Sequence, residues 1–338
     1  MEYRRQLCDK CDGILEVVYF GKPSVATLTK DFWNYEQFLP DSHHYKHYKL
    51  GNTTLLRANE RNLFLKLEME NPTKSFKDRG SVVEIAKALD YGHNEAICAS
   101  TGNMAYSVAY YAKLAGIRAT IFVSKNANLL KVRNIRETRY AKIVKVDGDF
   151  TEAQRRAIKY AKREEAFLAG DYCYRKEGQK TLLYEILAEL PNVRNILIPV
   201  GNATLLSGCY KALTELKNLN LIKRLPRLIA VQATRTNPLI IALRKREKVS
   251  YQKPLTDAGA IAVGYPTYGD QAIEGIKATL GTGLTVSDRE MEQERKRFYG
   301  EYGLQVEMSG VASLVAFRKA NLKGTTVAVI SGGNTLKP

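Results

Sequence analysis

Lys77 stands in NPTKSFKDRG (71–80), a polar, proline-containing loop that runs into a segment of helical periodicity. A lysine in the first turn of such a helix can aim its amine into a cavity while the helix behind it packs. Where those surroundings are partly desolvated, the charged form is disfavoured and the amine becomes a nucleophile able to condense with an aldehyde. The other reading is a surface lysine at a helix start, since lysines are mostly solvent-exposed. In PVGNATLLSG (199–208) an apolar strand ends at Gly201-Asn202 and a helix opens near Thr204. Glycine lets the backbone approach a ligand, and the free amides of a helix start, with the Thr204 hydroxyl, make an anion cup that suits a phosphate. The pattern is also that of an ordinary helix cap, and it lacks the Walker lysine, which argues against a nucleotide hydrolase. Two more polar loops, STGN (100–103) and ISGGNTLKP (330–338), complete the set. All four histidines lie outside these loops, so no imidazole is an obvious rival to Lys77 as general base.

From Leu63 on, short apolar runs alternate with helix-period segments. LFLKLE is followed by a helix from about Ser75, with Val82, Ile85, Ala86 and Leu89 on one face, and then by EAICAS. A helix near 104–114, RATIFV, a helix near 128–137, AKIVKVD and the helix TEAQRRAIKYAKREEA continue the rhythm. NILIPV, a helix from Thr204, RLIAVQA, helices near 238–244 and 310–320, and TTVAVIS close it. The alternation predicts an α/β fold of parallel sheets covered by helices on both faces. In such sheets ligands sit beyond the carboxyl ends of the strands, where the four polar loops fall. Without repeats or linkers, a second domain has to be an insertion in the first. The expected layout is an irregular lead-in over 1–50, a large domain from 51–90 and 177–338, and a small inserted domain over 91–176.

A chain of 338 residues with 45% apolar content can bury a sizeable core. It has no long apolar run and no secretory signal at MEYRRQLCDK, so the expectation is a cytoplasmic protein with no membrane partner. Five cysteines are odd and sparse, unlike a disulfide-stapled domain. Cys8 and Cys11 form a CxxC, but zinc takes four ligands and no second pair follows; His43, His44 and His47 lie too far along for finger spacing. The pair is therefore read as a small ribbon without metal. A net charge of +17 and a pI near 9.5 suit anionic ligands or nucleic acid. The basic residues are dispersed among Glu and apolar positions, and no nucleic-acid-binding signature accompanies them, so nucleic acid is not an expected partner.

Taken together and in order, the four loops, EGQKT (177–181) and the N-terminal CxxC resemble the fold-type II pyridoxal-phosphate enzymes, most closely the threonine synthase branch, whose NPTGSFKDRG matches NPTKSFKDRG here. The resemblance spans nearly the whole chain. It implies the tryptophan-synthase-β-like architecture, two parallel-sheet three-layer domains with a small N-terminal ribbon, assembled as a homodimer. It implies pyridoxal 5'-phosphate held as an imine on Lys77, which also moves protons between substrate carbons. Asn103 would hydrogen-bond the phenolic oxygen, Gly201, Asn202, Ala203 and Thr204 would hold the phosphate, and Ser331 would face the pyridine nitrogen. A hydroxyl there cannot keep that nitrogen protonated, which fits elimination and replacement better than transamination. Ser100, Thr101 and Gly102 would bind the substrate, a small and anionic amino acid.

The substrate implied by the branch is O-phosphohomoserine, converted to threonine and phosphate. The chain departs from the branch's pattern on that side. Ala169-Gly170 replaces an Asn-Ser pair, Met104 a threonine and Leu205 an asparagine, while Arg175 is kept. Lys74, in place of a glycine, either joins Arg175 in holding an anionic group or is a solvated lysine. The segment EMSG (307–310) matches a substrate-side loop of the family or caps the helix after it. The alternatives are a serine or threonine dehydratase, a β-replacement enzyme of the O-phosphoserine or cysteate-synthase kind, or a basic binding protein without catalysis.

Overall fold

The computed structural model describes residues 6–11, 13–20, 27–100, 102–125, 129–148 and 150–333. Two sheets organise them. The larger contains β1 (Leu55–Arg57), β2 (Leu63–Leu67), β7 (Asn195–Pro199), β8 (Arg227–Ala233), β9 (Thr282–Val286) and β10 (Thr326–Ile330), in the order β1-β2-β10-β7-β8-β9. Only β1 runs antiparallel; every other pairing is parallel. The smaller sheet, β3 (Glu95–Ala99), β4 (Arg118–Ser124), β5 (Ala141–Val146) and β6 (Phe167–Leu168), is parallel throughout, in the order β5-β4-β3-β6. The strands β3, β7 and β10 are buried along their whole length, as parallel strands covered on both faces must be.

The halves meet where α1 (Lys77–Asp90) crosses α5 (Cys173–Glu189). Val82, Val83 and Ile85 of α1 share a core with Ala96, Cys98 and Ile121 of the small sheet. Leu182, Leu183 and Ile186 of α5 pack instead with Ile196, Ile198 and Val327 of the large sheet. A Cβ on Gly178 would lie 1.9 Å from the carbonyl oxygen of Arg79, and one on Gly80 would lie 2.5 Å from Cγ of Arg175. Both helices need glycine at this contact for the backbones to approach. Next to it Arg79 is fully buried: Nε and Nη2 donate to the two Glu68 oxygens at 2.7 Å, and Nη1 and Nη2 to Glu185 at 2.6 and 2.8 Å. Lys66 on β2 adds a second cation to Glu185 at 2.8 Å, equally buried. Burial opposes the Glu185 charge, but Arg79 and Lys66 outweigh it and hold the carboxyl below its usual range.

The periodic elements lie where the sequence places them, with boundary shifts: α2 (Asn103–Ala115), α3 (Leu129–Glu137), α4 (Phe150–Arg163), α6 (Thr204–Asn218), α7 (Pro238–Lys245) and α10 (Ala312–Lys319). The first residues expected of the last helix form a 3-10 turn, Met308–Val311. Six elements lie outside the periodicity legible in the sequence: β1, β6, α5, α8 (Gly269–Ala278), β9 and α9 (Asp288–Tyr302). The α5 helix is buried on every side from Cys173 to Leu187, so it carries no amphipathic stripe. The lead-in holds a bridge between Leu7 and Ile14 and a 3-10 helix, Phe32–Phe38, whose Phe32, Tyr35 and Phe38 are buried. Cys8 is half-buried and Cys11 exposed; His47 stacks on Trp33 and His44 lies 3.9 Å from Asp90. No group of three or more metal-ligating side chains forms among the described residues. No described helix is long and apolar enough to cross a membrane.

Overpacking a tight backbone contact costs about 1–3 kcal/mol or more. Gly178→Ala is therefore expected to lower the chemical-denaturation midpoint by at least that equivalent, whereas alanine at exposed Gly300, which has no neighbour within reach of a Cβ, shifts it far less. Equal midpoints for the two variants would show that the helix crossing is not tight.

Candidate active site

Four strands of the two sheets end at one place: β2, β3, β7 and β10 lead to the residues at 71–76, to Ser100 and Gly102, to 200–203 and to 331–333. Between them lies a cavity of about 370 Å³. The Lys77 loop is pinned to the end of β10. Phe76 N–H donates to the Ser331 carbonyl at 3.2 Å, Gly333 N–H to the Lys74 carbonyl at 2.8 Å, and Ser75 bridges Gly332. Its other flank is held by Asp78, which accepts from Thr73 N–H at 2.7 Å, from the Thr73 hydroxyl, and from the Ser107 hydroxyl at 2.6 Å. This clamp leaves Lys77 at the first position of α1 with its side chain 19% exposed and lining the cavity.

The Lys77 amine lies 3.3 Å from Oδ1 of Asp171. That carboxylate also accepts from Thr204 Oγ1 and from Asn202 Nδ2, both at 2.7 Å. Burial raises the Asp171 pKa, but the charges of Lys77 and Arg175 and these two hydrogen bonds win, leaving it below the usual carboxylate range. Three donors thus converge on one anion in front of α6. Ala203 caps that helix in the left-handed conformation, φ +65°, which turns the first amides of α6 toward the same space. Across the cavity, Asn103 opens α2 and donates to Glu307 Oε1 at 2.9 Å, and Gly102 N–H donates to Ser100 Oγ at 3.2 Å. Ser331 also lines the cavity, as does Ser309, whose buried hydroxyl has no protein partner.

Of the residues singled out from sequence, the structure brings Lys77, Ser100, Gly102, Asn103, Gly201, Asn202, Ala203, Thr204 and Ser331 to this cavity. Thr101 lies outside the described residues. Two expected anion-holders are elsewhere. Lys74 sits at φ +64° with an exposed side chain and does not line the cavity. Arg175 is 0% exposed, behind the wall: Nε donates to the Gly170 carbonyl at 2.9 Å, Nη1 to the Lys77 carbonyl at 3.2 Å, and Nη2 to Ser81 at 3.1 Å and to Glu84. Burial pushes the Glu84 carboxyl up to about 7 despite that arginine. Asp171 and the 257–263 segment line the cavity without having been singled out. A lone Asp directly after a glycine carries no signal of its own; a charged residue inside AGDYCY, among otherwise uncharged residues, was the available clue.

An amine at a sheet edge, an anion cup on a helix start and a polar lining suit an aldehyde cofactor that carries a phosphate. Comparison with known proteins agrees. Residues 47–333 match the family described as pyridoxal-phosphate dependent enzyme. The chain is 31% identical to the threonine synthase of Methanosarcina acetivorans, over 98% of this chain and 87% of the relative. It is 30% identical to that of Methanocaldococcus jannaschii, over 97% and 88%. Among solved structures, a fungal L-serine ammonia-lyase from Rhizomucor miehei superposes with a TM-score of 0.74 at 23% identity, covering 84% of this chain and 94% of that one. Diaminopropionate ammonia lyase from Escherichia coli gives 0.72 at 14% identity, covering 94% and 92%. This chain belongs to the pyridoxal-phosphate dependent enzyme family, as a threonine-synthase-like member with the fold-type II arrangement of parallel sheets.

The Asp78 carboxyl is pushed up to about 6 from 3.8 by burial, against the hydrogen bonds from Ser107 and Thr73. A carboxyl whose folded pKa is raised favours the folded state below its unfolded value, and this advantage is lost as pH rises from about 4 toward 6. Asp78→Asn is expected to flatten that part of the stability-pH curve. A variant whose unfolding free energy keeps the wild-type slope between pH 4 and 6 would show that another group titrates there.

Proposed function

We propose that the chain catalyses elimination or replacement on a small amino acid, with Lys77 both holding the cofactor and carrying the proton. The observation that carries this reading is the Lys77 amine inside the cavity, beside the donors of Asn202 and Thr204. When bound, pyridoxal phosphate supplies an electron sink that loosens the bonds at the α carbon of an amino acid. Gly201, Asn202, Ala203 and Thr204 would hold its phosphate, Asn103 its phenolic oxygen and Ser331 its ring nitrogen. Lys77 would take the α proton and return it further along the substrate, since no histidine lines the cavity among the described residues. Ser100, Gly102 and, by the resemblance, Thr101 would bind the substrate carboxylate with hydroxyl and amide donors. Phe76 and the 258–263 segment line the same cavity and would keep water from the reacting carbons.

Two substrate classes divide this reading. The relatives' name favours O-phosphohomoserine, giving threonine and phosphate. The sequestration of Arg175 and the exposure of Lys74 favour a dehydratase-like reaction on serine or threonine. The domain layout that goes with this reading is 51–90 with 177–338 and an inserted 91–176, each holding one sheet, with α1 of the first packed into the core of the second. A cytoplasmic homodimer is the assembly that the family resemblance suggests.

Purified wild-type protein is expected to show a violet-region absorbance band. Lys77→Ala should lose the band and roughly a thousandfold or more of its turnover. Offering O-phosphohomoserine, L-threonine and L-serine separately, and assaying phosphate, ammonia and keto acid, assigns the reaction. A colourless protein that added pyridoxal phosphate cannot restore would overturn the enzyme reading.

A further inference from the structure

The charges around the cavity are unbalanced. Among the described residues that line it, Lys77 is the one cation, against the carboxylates of Asp171, Asp257 and Glu307. Lys77 is committed to holding the cofactor on the reading above, so it cannot also neutralise a substrate's side chain. The nearest buried arginine, Arg175, has its guanidinium turned inward onto Glu84, Ser81 and two backbone carbonyls. Among the described residues, no second cation lines this cavity.

Asp171 is the charged group closest to the amine, and it is buried. Met104, Leu205 and Gly170 line the same space, and, Lys77 aside, the polar groups there that touch this carboxylate, Asn202 and Thr204, are already bonded to it. Both of its oxygens rest on Asn202 and Thr204, the residues that would also take the cofactor's phosphate. Two anions would then share the same donors. A substrate group that donates a hydrogen bond relieves this crowding, and an ammonium relieves it further by its charge. A phosphate on the substrate would add a third anion where no further cation lines the cavity among the described residues, and like charges held together out of water disfavour a ligand much as a steric clash does.

We propose that Asp171 is a specificity-determining residue that selects amino acids with a hydroxyl or ammonium side chain and rejects phosphorylated ones. The inference rests on the pyridoxal-phosphate reading and sharpens it: the leaving group is a small hydrogen-bond donor, not a phosphate. Asp171 acts on the choice of substrate, while Lys77 keeps the proton transfers.

The test uses the coloured holoenzyme in wild-type, Asp171→Asn and Asp171→Glu forms. Each is titrated with L-serine, L-2,3-diaminopropionate, O-phospho-L-serine and O-phosphohomoserine, and the dissociation constant is read from the shift of the visible band, independently of turnover. Wild type is expected to bind L-serine and L-2,3-diaminopropionate at least about tenfold more tightly than O-phospho-L-serine. Asp171→Glu should keep that order, and Asp171→Asn should bring O-phospho-L-serine to within about threefold of L-serine. Tighter wild-type binding of either phosphorylated amino acid overturns the proposal, as does a serine-to-phosphoserine ratio unchanged in Asp171→Asn. If Asp171→Asn fails to retain colour, the wild-type and Asp171→Glu orders decide. A band that survives Lys77→Ala overturns the cofactor reading itself, an outcome separate from any change in these ratios.

Discussion

The approach of two helix backbones at Gly80 and Gly178 is the constraint on which the site depends. Because α1 belongs to the core of the small sheet and α5 to that of the large one, their contact fixes how the two halves meet. It also explains why two charged motifs are buried. KDRG and EGQKT supply the glycines of the crossing and, one residue from Gly80, the guanidinium that ties Glu68 to Glu185. An arginine taken out of water is costly unless every donor is satisfied, and here Nε and both terminal nitrogens have carboxylate or hydroxyl partners.

From that crossing the position of Lys77 follows. It lies two residues before Arg79, on the turn that the Asp78 clamp and the end of β10 hold between them. The amine is thus placed by groups that face away from the cavity, which leaves the cavity side open for cofactor and substrate. Preorganisation of this kind means that little has to move when a ligand arrives.

The wall around Arg175 shows how one buried pair changes the chemistry on offer. An arginine facing the cavity would make a bidentate phosphate site. Facing Glu84 and the carbonyls of Lys77 and Gly170, the same residue supports the backbone beneath the site and leaves Asp171 as the charged group in front. The loss of the polar pair at Ala169-Gly170 and the presence of Asp171 are then parts of one local arrangement.

The repeating apolar runs and the order of the polar loops were enough to define parallel sheets, helices on both faces and a lysine near the strand ends, because strand and helix periodicities are local properties of the chain. The helix at 173–189 was not legible, since a helix buried all round has no polar face to mark its period. The pairing of Lys77 with Asp171, ninety-four residues apart, and the inward turn of Arg175 came only from the packing of α1 on α5. Residue type says which charges a chain carries; the side of a wall that each one faces depends on partners distant in sequence, and that is decided by the tertiary structure.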